Sequence, residues 1–390
     1  MVGCRWTRDR AESGNRQEPF FLRVTGQPAC PAWWEGGAES EGRARKRWKS
    51  MDNRILPTTV VGSYPKPLWL SNPYGILFGG WRLRAEVLRE GQDDAVALAI
   101  RAQERAGIDI VSDGEQRRDN FVFYFTRNLD GFDFAHPLKR RLRGSQREFD
   151  APRIVGPVGR SRALAADDVR FLRGNTDRPI KMSIAGPMTI IDTSHDVHYR
   201  DNRALAMDLA TAINAELREW ASLGCDVVQI DEPAFTRYPH FVRDWGAEAL
   251  SRCVEGVGTK TAVHVCYGYP VDGSKMREHG YEEVLPYLTG SAVDQISLEC
   301  AAPGLDASLL RLCQGKDVVF GVIDIGSTEV EKPEAVARRI SEALSFISAE
   351  RLLPAPDCGL VLLDRTLARA KLKALGEGAR LARVNLGAVS

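Results

Sequence analysis

Eight short runs rich in β-branched and other apolar residues recur along this chain, each closing on polar or glycine residues. In order they are Thr58–Gly62, Ile108–Asp113, Ile180–Ala185, Asp226–Asp231, Thr261–Cys266, Asp294–Glu299, Asp317–Ile323 and Leu352–Asp357. Runs of this length and composition read as buried strands. Helical periodicity fills most of the intervals. Asn202–Leu223 carries Leu205, Leu209, Ile213 and Leu217 at helical spacing, and Lys332–Ile347 opens with Pro333 and Glu334, a good start signal. Short buried strands alternating with helices imply a parallel sheet, and eight such units predict an α/β fold of the (β/α)8 TIM-barrel type. An open doubly wound sheet is the structural alternative, but no G-x-G-x-x-G follows the first run.

The chain's 390 residues fit one barrel with additions. The segment from about 127 to 178 is too long for a plain strand-to-helix link and is expected to form an inserted hairpin or lid after the second strand. Residues 1–50 hold half of the tryptophans (Trp6, Trp33, Trp34 and Trp48) among Arg, Gly and Glu without periodicity. They are expected to be a disordered leader or a mis-called start, with residues 51–390 as the folded unit. A basic or aromatic docking arm is the other reading of that stretch.

Charge and hydropathy exclude several classes of function. Lys+Arg number 53 and Asp+Glu 52, so no basic field advertises nucleic acid or an anionic membrane. No apolar run approaches the ~20 residues of a membrane span, and no signal peptide opens the chain. The eight cysteines show no C-x-x-C. Cys225, Cys253 and Cys313 fall in core-like stretches and read as small buried hydrophobes. A reducing, cytoplasmic location is the expectation.

In a barrel of this kind, chemistry sits at the C-terminal ends of the strands. The polar residues of this chain fall there. Gly62-Ser63 ends the first run, Asp113-Gly114-Glu115 the second and Asp231-Glu232-Pro233 the fourth, while Gly186-Pro187 follows the third. His264 and Cys266, Glu299, Asp324 and Cys358 close the remaining four. His264 and Cys266 are two apart, so on an extended strand they point to the same side. With Glu299 and Cys358 they form a candidate metal site of one imidazole, two sulfurs and one carboxylate. That set suits a borderline-soft divalent ion, zinc first.

Taken singly, each residue has a plainer explanation. A strand-end His is usually a hydrogen-bonded structural residue, a lone Cys is usually inert, and Asp-Glu-Pro can simply cap a loop. Co-location argues otherwise. Ligands drawn from distant strands favour a catalytic metal over a structural one, whose ligands come in closely spaced pairs. A metal already carrying two sulfurs is a poor Lewis acid for hydrolysis but suits keeping a further thiol deprotonated near neutral pH. Glu299, the hardest ligand, is the one expected to yield to substrate sulfur. Glu115 and Asp231 are placed to take a substrate ammonium, and the Gly62-Ser63 backbone a carboxylate, which together describe a site for a thiol amino acid.

These residues resemble the cobalamin-independent methionine synthases, specifically their C-terminal catalytic barrel and its single-barrel relatives. The likeness spans about residues 55–385 and is carried by Thr58-Thr59-Val60-Val61-Gly62-Ser63-Tyr64-Pro65, Ser112-Asp113-Gly114-Glu115, Gln229-Ile230-Asp231-Glu232-Pro233, His264-Val265-Cys266 and Pro356-Asp357-Cys358-Gly359. The resemblance implies that His264, Cys266, Glu299 and Cys358 bind catalytic zinc. It also implies that the Val61, Gly62 and Ser63 backbone, Glu115 and Asp231 hold the amino-acid part of homocysteine or methionine. Three departures stand out. The long folate-using enzymes have a further N-terminal barrel, for which this chain has no room. Their histidine after the seventh-strand Asp is also missing, since Asp324-Ile325 runs into Gly326, and no aromatic residue follows Gly186-Pro187 to stack on a folate ring. The expected activity is methyl transfer to homocysteine, from 5-methyltetrahydrofolate or from a methylcorrinoid on a partner protein. The rivals are an epoxyalkane:coenzyme M transferase-like alkylation of another thiol, a zinc-free porphyrinogen decarboxylase-like use of the barrel, and a non-catalytic zinc-binding barrel.

Overall fold

Seven of the eight apolar runs become strands of one parallel sheet. The computed structural model describes residues 55–72, 80–141, 148–267 and 280–388. Numbering strands along the chain, the sheet consists of β1 (Val111–Ser112), β4 (Ile180–Ala185), β6 (Val227–Asp231), β7 (Lys260–Val265), β8 (Gln295–Leu298), β9 (Asp317–Ile323) and β10 (Leu352–Pro356), adjacent in that order. Strands β4, β6, β8 and β10 are buried along their whole length, as parallel strands covered on both faces must be.

The remaining run, Thr58–Gly62, falls short of a strand, and the reason is visible in its carbonyls. Val60 O accepts from Lys181 Nζ (2.9 Å), Val61 O from Gln229 Nε2 (2.9 Å) and Gly62 O from Ser112 Oγ (2.8 Å). Side chains thus take acceptors that a ladder would have used. The run still touches both edges of the sheet. Thr59 bridges Ile110 in parallel, Ile110 N donates to Thr58 O (2.9 Å), and Thr59 N donates to Pro354 O in the middle of β10 (3.1 Å). The sheet is curled, since Ile110, Val227, Ala262, Val319, Leu353 and Ala355 form a small apolar cluster apart from the main core.

Helices cover the outer face. The predicted Asn202–Leu223 helix runs Asn202–Ser222, opened by the Asp201 carboxylate, which accepts from the backbone of Arg203 and Ala204. It buries Leu205, Leu209, Ile213 and Leu217, as its periodicity required. The second predicted helix starts with Pro333 in its first turn but stops at Ala343 rather than Ile347.

The long segment after β1 does form a hairpin, β2 (Asp130–Arg141) against β3 (Glu148–Gly159), antiparallel, with β5 (His195–Asp196) added in parallel to β3. Its anchor is Glu216 on the inner face of the Asn202–Ser222 helix. That buried carboxylate accepts from Arg160 Nε (2.7 Å), Leu164 N (2.9 Å), Ala165 N (2.8 Å) and Trp220 Nε1 (2.6 Å). Arg140 Nη1 of β2 donates to Ser194 O (2.7 Å), which places the hairpin beside the loop that follows β4. The predicted leader, residues 1–50, lies outside the described residues. Among the described residues no helix is long and apolar enough to cross a membrane.

Candidate metal centre

At the C-terminal ends of β7, β8 and β10 the four predicted ligands come together. One ligand atom from each of His264, Cys266, Glu299 and Cys358 lies within 4.8 Å of all the others. Cys266 Sγ and Cys358 Sγ are 3.9 Å apart, His264 Nε2 is 3.5 Å from Cys358 Sγ, and His264 Nε2 is 3.6 Å from Glu299 Oε1. Ordinary zinc bond lengths in a tetrahedron demand edges of about 3.8 Å between sulfurs, about 3.6 Å from nitrogen to sulfur and about 3.4 Å from nitrogen to oxygen. These three edges stand close to that spacing, and the whole set falls within 4.8 Å.

The polar chemistry asks for a cation as well. Glu299 is fully buried, and among the described residues neither of its carboxylate oxygens meets a nitrogen or oxygen donor at hydrogen-bond distance. Burial pushes its carboxyl well above the usual range. Cys266 is held well below the usual thiol range, first by the hydrogen bond shared with Cys358 and then by His264. Cys358 is pushed up by that same bond and by its burial. A buried carboxylate beside two sulfurs is costly without positive charge, and a divalent ion at their centre would reverse the sense of the raised values. The residues fit zinc.

Neighbouring side chains fix the ligands in place. His264 and Ser297 are paired in register across β7 and β8, and His264 Nδ1 lies 3.0 Å from Ser297 Oγ, leaving Nε2 for the cluster. Tyr281 Oη donates to Val265 O (2.7 Å) and accepts from Glu299 N (2.9 Å), tying two ligand-bearing strand ends. Asp357, next to Cys358, accepts from the backbone N–H groups of Cys300, Ala301 and Ala302 at 2.9, 2.8 and 2.6 Å. The loop behind Glu299 is thereby bolted to the loop that carries Cys358. Gly321 permits this, since a Cβ there would lie 2.0 Å from Asp357 Oδ1.

The residues expected to hold substrate stand beside the cluster. Asp231 is in register with His264 across β6 and β7 and accepts from Gln229 Nε2 (2.8 Å). Burial raises its carboxyl, with His264 opposing. Glu115 sits in a turn whose backbone is left-handed at Gly114 (φ 64°) and at Glu115 itself (φ 55°). Such backbone at a non-glycine residue costs roughly 1–3 kcal/mol and gathers at functional sites. Glu115 N donates to Asp113 Oδ1 (2.9 Å), and Glu115 Oε1 accepts from Ser183 Oγ (3.1 Å) and faces Arg118 Nη1 at 3.3 Å. Its carboxyl is raised chiefly by burial, with Arg118 opposing. Gly62 lies directly against it, for a Cβ at that position would be 2.7 Å from Glu115 Oε1. Ser63 packs on the Cys358 loop, with Leu360 N donating to Ser63 O (2.8 Å). Val61 is buried beside them.

Reading the chain alone missed Ser297, Asp357, Tyr281, Arg118 and Lys181. Two of these carry a local signal: Lys181 is a cation inside an apolar run, and Arg118 follows Glu115 by three residues. Asp324, also at a strand end, accepts from Gly326 N and serves its own turn.

Comparison with known proteins agrees with this geometry. Residues 56–381 match the family model described as the catalytic domain of cobalamin-independent synthase. A methionine synthase of Thermococcus kodakarensis is 37% identical over 338 residues, 86% of this chain and 96% of its own. One from Sulfurisphaera tokodaii is 34% identical over 333 residues, 85% of this chain and 94% of its own. A B12-independent methionine synthase structure from Shewanella sp. W3-18-1, in complex with selenomethionine, superposes with a TM-score of 0.81 at 42% identity, covering 86% of this chain and all of that one (100%). The eight-run rhythm, the four converging ligands and these matches have one common meaning: this chain belongs to the cobalamin-independent methionine synthase catalytic-domain family.

Proposed function

We propose that this chain is a zinc-dependent methyltransferase that moves a methyl group onto the sulfur of homocysteine to form methionine. The observation that carries the reading is the meeting of His264, Cys266, Glu299 and Cys358 within 4.8 Å, with the Glu299 carboxylate fully buried among them. Zinc held there would keep the substrate thiol deprotonated at neutral pH, which makes it the nucleophile for the methyl carbon. The chain's own residues do the rest. Ser297 holds the His264 ring, and Asp357 holds the Glu299 and Cys358 loops in register with each other. Asp231 and Glu115 supply carboxylates for the substrate ammonium, with Arg118 and Ser183 steering Glu115. The Val61–Ser63 backbone takes the substrate carboxylate. This is catalysis by positioning and by activation of a sulfur. Two buried carboxylates would repel the sulfonate of coenzyme M, which has no ammonium to satisfy them.

The frame supports the same reading. The hydrogen bonds of Thr58 and Thr59 to both sheet edges favour a closed (β/α)8 barrel, with the first run as its eighth stave. The β2–β3 hairpin, tied to the loop after β4, serves as a wall or lid at the mouth, and residues 51–390 form the catalytic unit. Sulfur ligands in this site suit a reducing cytoplasm. The methyl donor is methylfolate or a methylcorrinoid. Incubating the protein with homocysteine and either labelled donor should yield labelled methionine, and Cys358→Ala should lose both zinc and product. Full zinc occupancy in that variant would refute the ligand assignment.

A further inference from the structure

Lys66 lies three residues beyond Ser63, on the segment that lays Gly62 against Glu115. It is only 9% exposed, and no hydrogen-bond acceptor meets its Nζ among the described residues. Nζ lies over the ring of Trp81, 5.7 Å from its centroid. A buried ammonium without an acceptor is a costly arrangement. The other buried lysines of this chain avoid it. Lys181 Nζ donates to Val60 O (2.9 Å) and Gln229 Oε1 (3.0 Å), and Lys371 Nζ pairs with Glu331 at 3.0 Å.

Glu115 leads the charges that act on Lys66, followed by Arg118, Asp113 and Asp119, while burial holds its pKa down to about 8. Glu115 does not itself serve as the missing acceptor, being engaged by Ser183 and Arg118. An amino acid carries ammonium and carboxylate on a single carbon. Glu115 and Lys66 offer the two opposite charges from neighbouring segments of the same strand ends. A carboxylate arriving with the ligand would give Nζ the charge-assisted hydrogen bond that the described residues do not supply.

We infer that Lys66 binds a carboxylate of the ligand that docks beside Glu115, the α-carboxylate of the amino-acid substrate being the one its place fits. This rests on the proposed function and adds a cationic contact to the backbone contacts at Val61–Ser63. Its role is recognition rather than chemistry at sulfur. A methyl donor with carboxylates of its own, such as a folate glutamate tail, is the other source of the same group.

The test is titration calorimetry on the zinc-loaded full chain with L-methionine and with L-methioninol, which lacks the carboxylate. The wild type should prefer methionine. Lys66→Met should weaken methionine by about 10-fold or more while leaving methioninol within about 2-fold. Lys66→Arg should recover part of the loss. The melting temperature of ligand-free Lys66→Met should be unchanged or higher, because an unpaired buried charge has been removed, whereas a structural lysine would show a fall. Lys66→Gln provides the same comparison should the Met variant be insoluble. If methionine binding holds but the KM for methylfolate rises and stops depending on the number of glutamates, the carboxylate contact stands and belongs to the donor. Equal weakening of methionine and methioninol, or no change in methionine or donor, would overturn the inference. A wild type that binds neither ligand would overturn the functional reading, and this one with it.

Discussion

Gly62 shows how finely the substrate side of the site is set. A methyl group there would meet the end of the Glu115 side chain at 2.7 Å and Ser183 Oγ at 3.2 Å. Both are movable atoms, so Gly62→Ala should push the carboxylate aside rather than break the fold. The expected result is a KM for homocysteine raised by about 10-fold or more, with a melting temperature within a few degrees of wild type. Steady-state kinetics and a thermal melt check it, and an unchanged KM would contradict the placement of Glu115. The convergence of His264, Cys266, Glu299 and Cys358, and the place of Glu115 beside them, were legible in the sequence because each sits at or just past the end of an apolar run. Their supports were not. Ser297 and Asp357 look like ordinary strand-end polar residues, and their partners, His264 and the Cys300–Ala302 backbone, become neighbours only through strand register and long-range loop packing. Lys66 was equally hidden, because its signal is a buried ammonium that meets no hydrogen-bond acceptor among the described residues.

Elements were read best where both faces are buried. Strands β4 to β10 of the main sheet follow the apolar runs closely, whereas Thr58–Gly62 does not form a ladder because Lys181, Gln229 and Ser112 occupy its carbonyls. No local propensity announces donors that arrive from 50 or more residues away. The hairpin was legible only as excess length, and what seats it is Glu216, which reads in sequence as an ordinary charged helix residue. Glu216→Ala would leave Arg160 with Glu219 alone, and two backbone N–H groups and the Trp220 indole without their acceptor. The expected cost is about 3–5 kcal/mol of stability by denaturant unfolding. A loss below about 1 kcal/mol would mean that the hairpin is held by other contacts.

At the scale of the whole molecule, the family match begins at residue 56, beside the first apolar run, and ends at residue 381 within the last helix. Every residue proposed for zinc, substrate or their support falls inside that span. A chain begun at Met51 should therefore keep the melting temperature and the methyl-transfer rate of the full chain, and a marked fall in either would assign the first fifty residues a part in the fold or the site. The central claim is narrower: four side chains from three distant strand ends grip one zinc that receives the substrate's sulfur. X-ray absorption at the zinc edge measures this directly by counting sulfur neighbours in the purified protein before and after homocysteine is added. The account predicts one zinc per chain with two sulfur neighbours alone and three with homocysteine. Absence of stoichiometric zinc, or a sulfur count that homocysteine leaves unchanged, would contradict it.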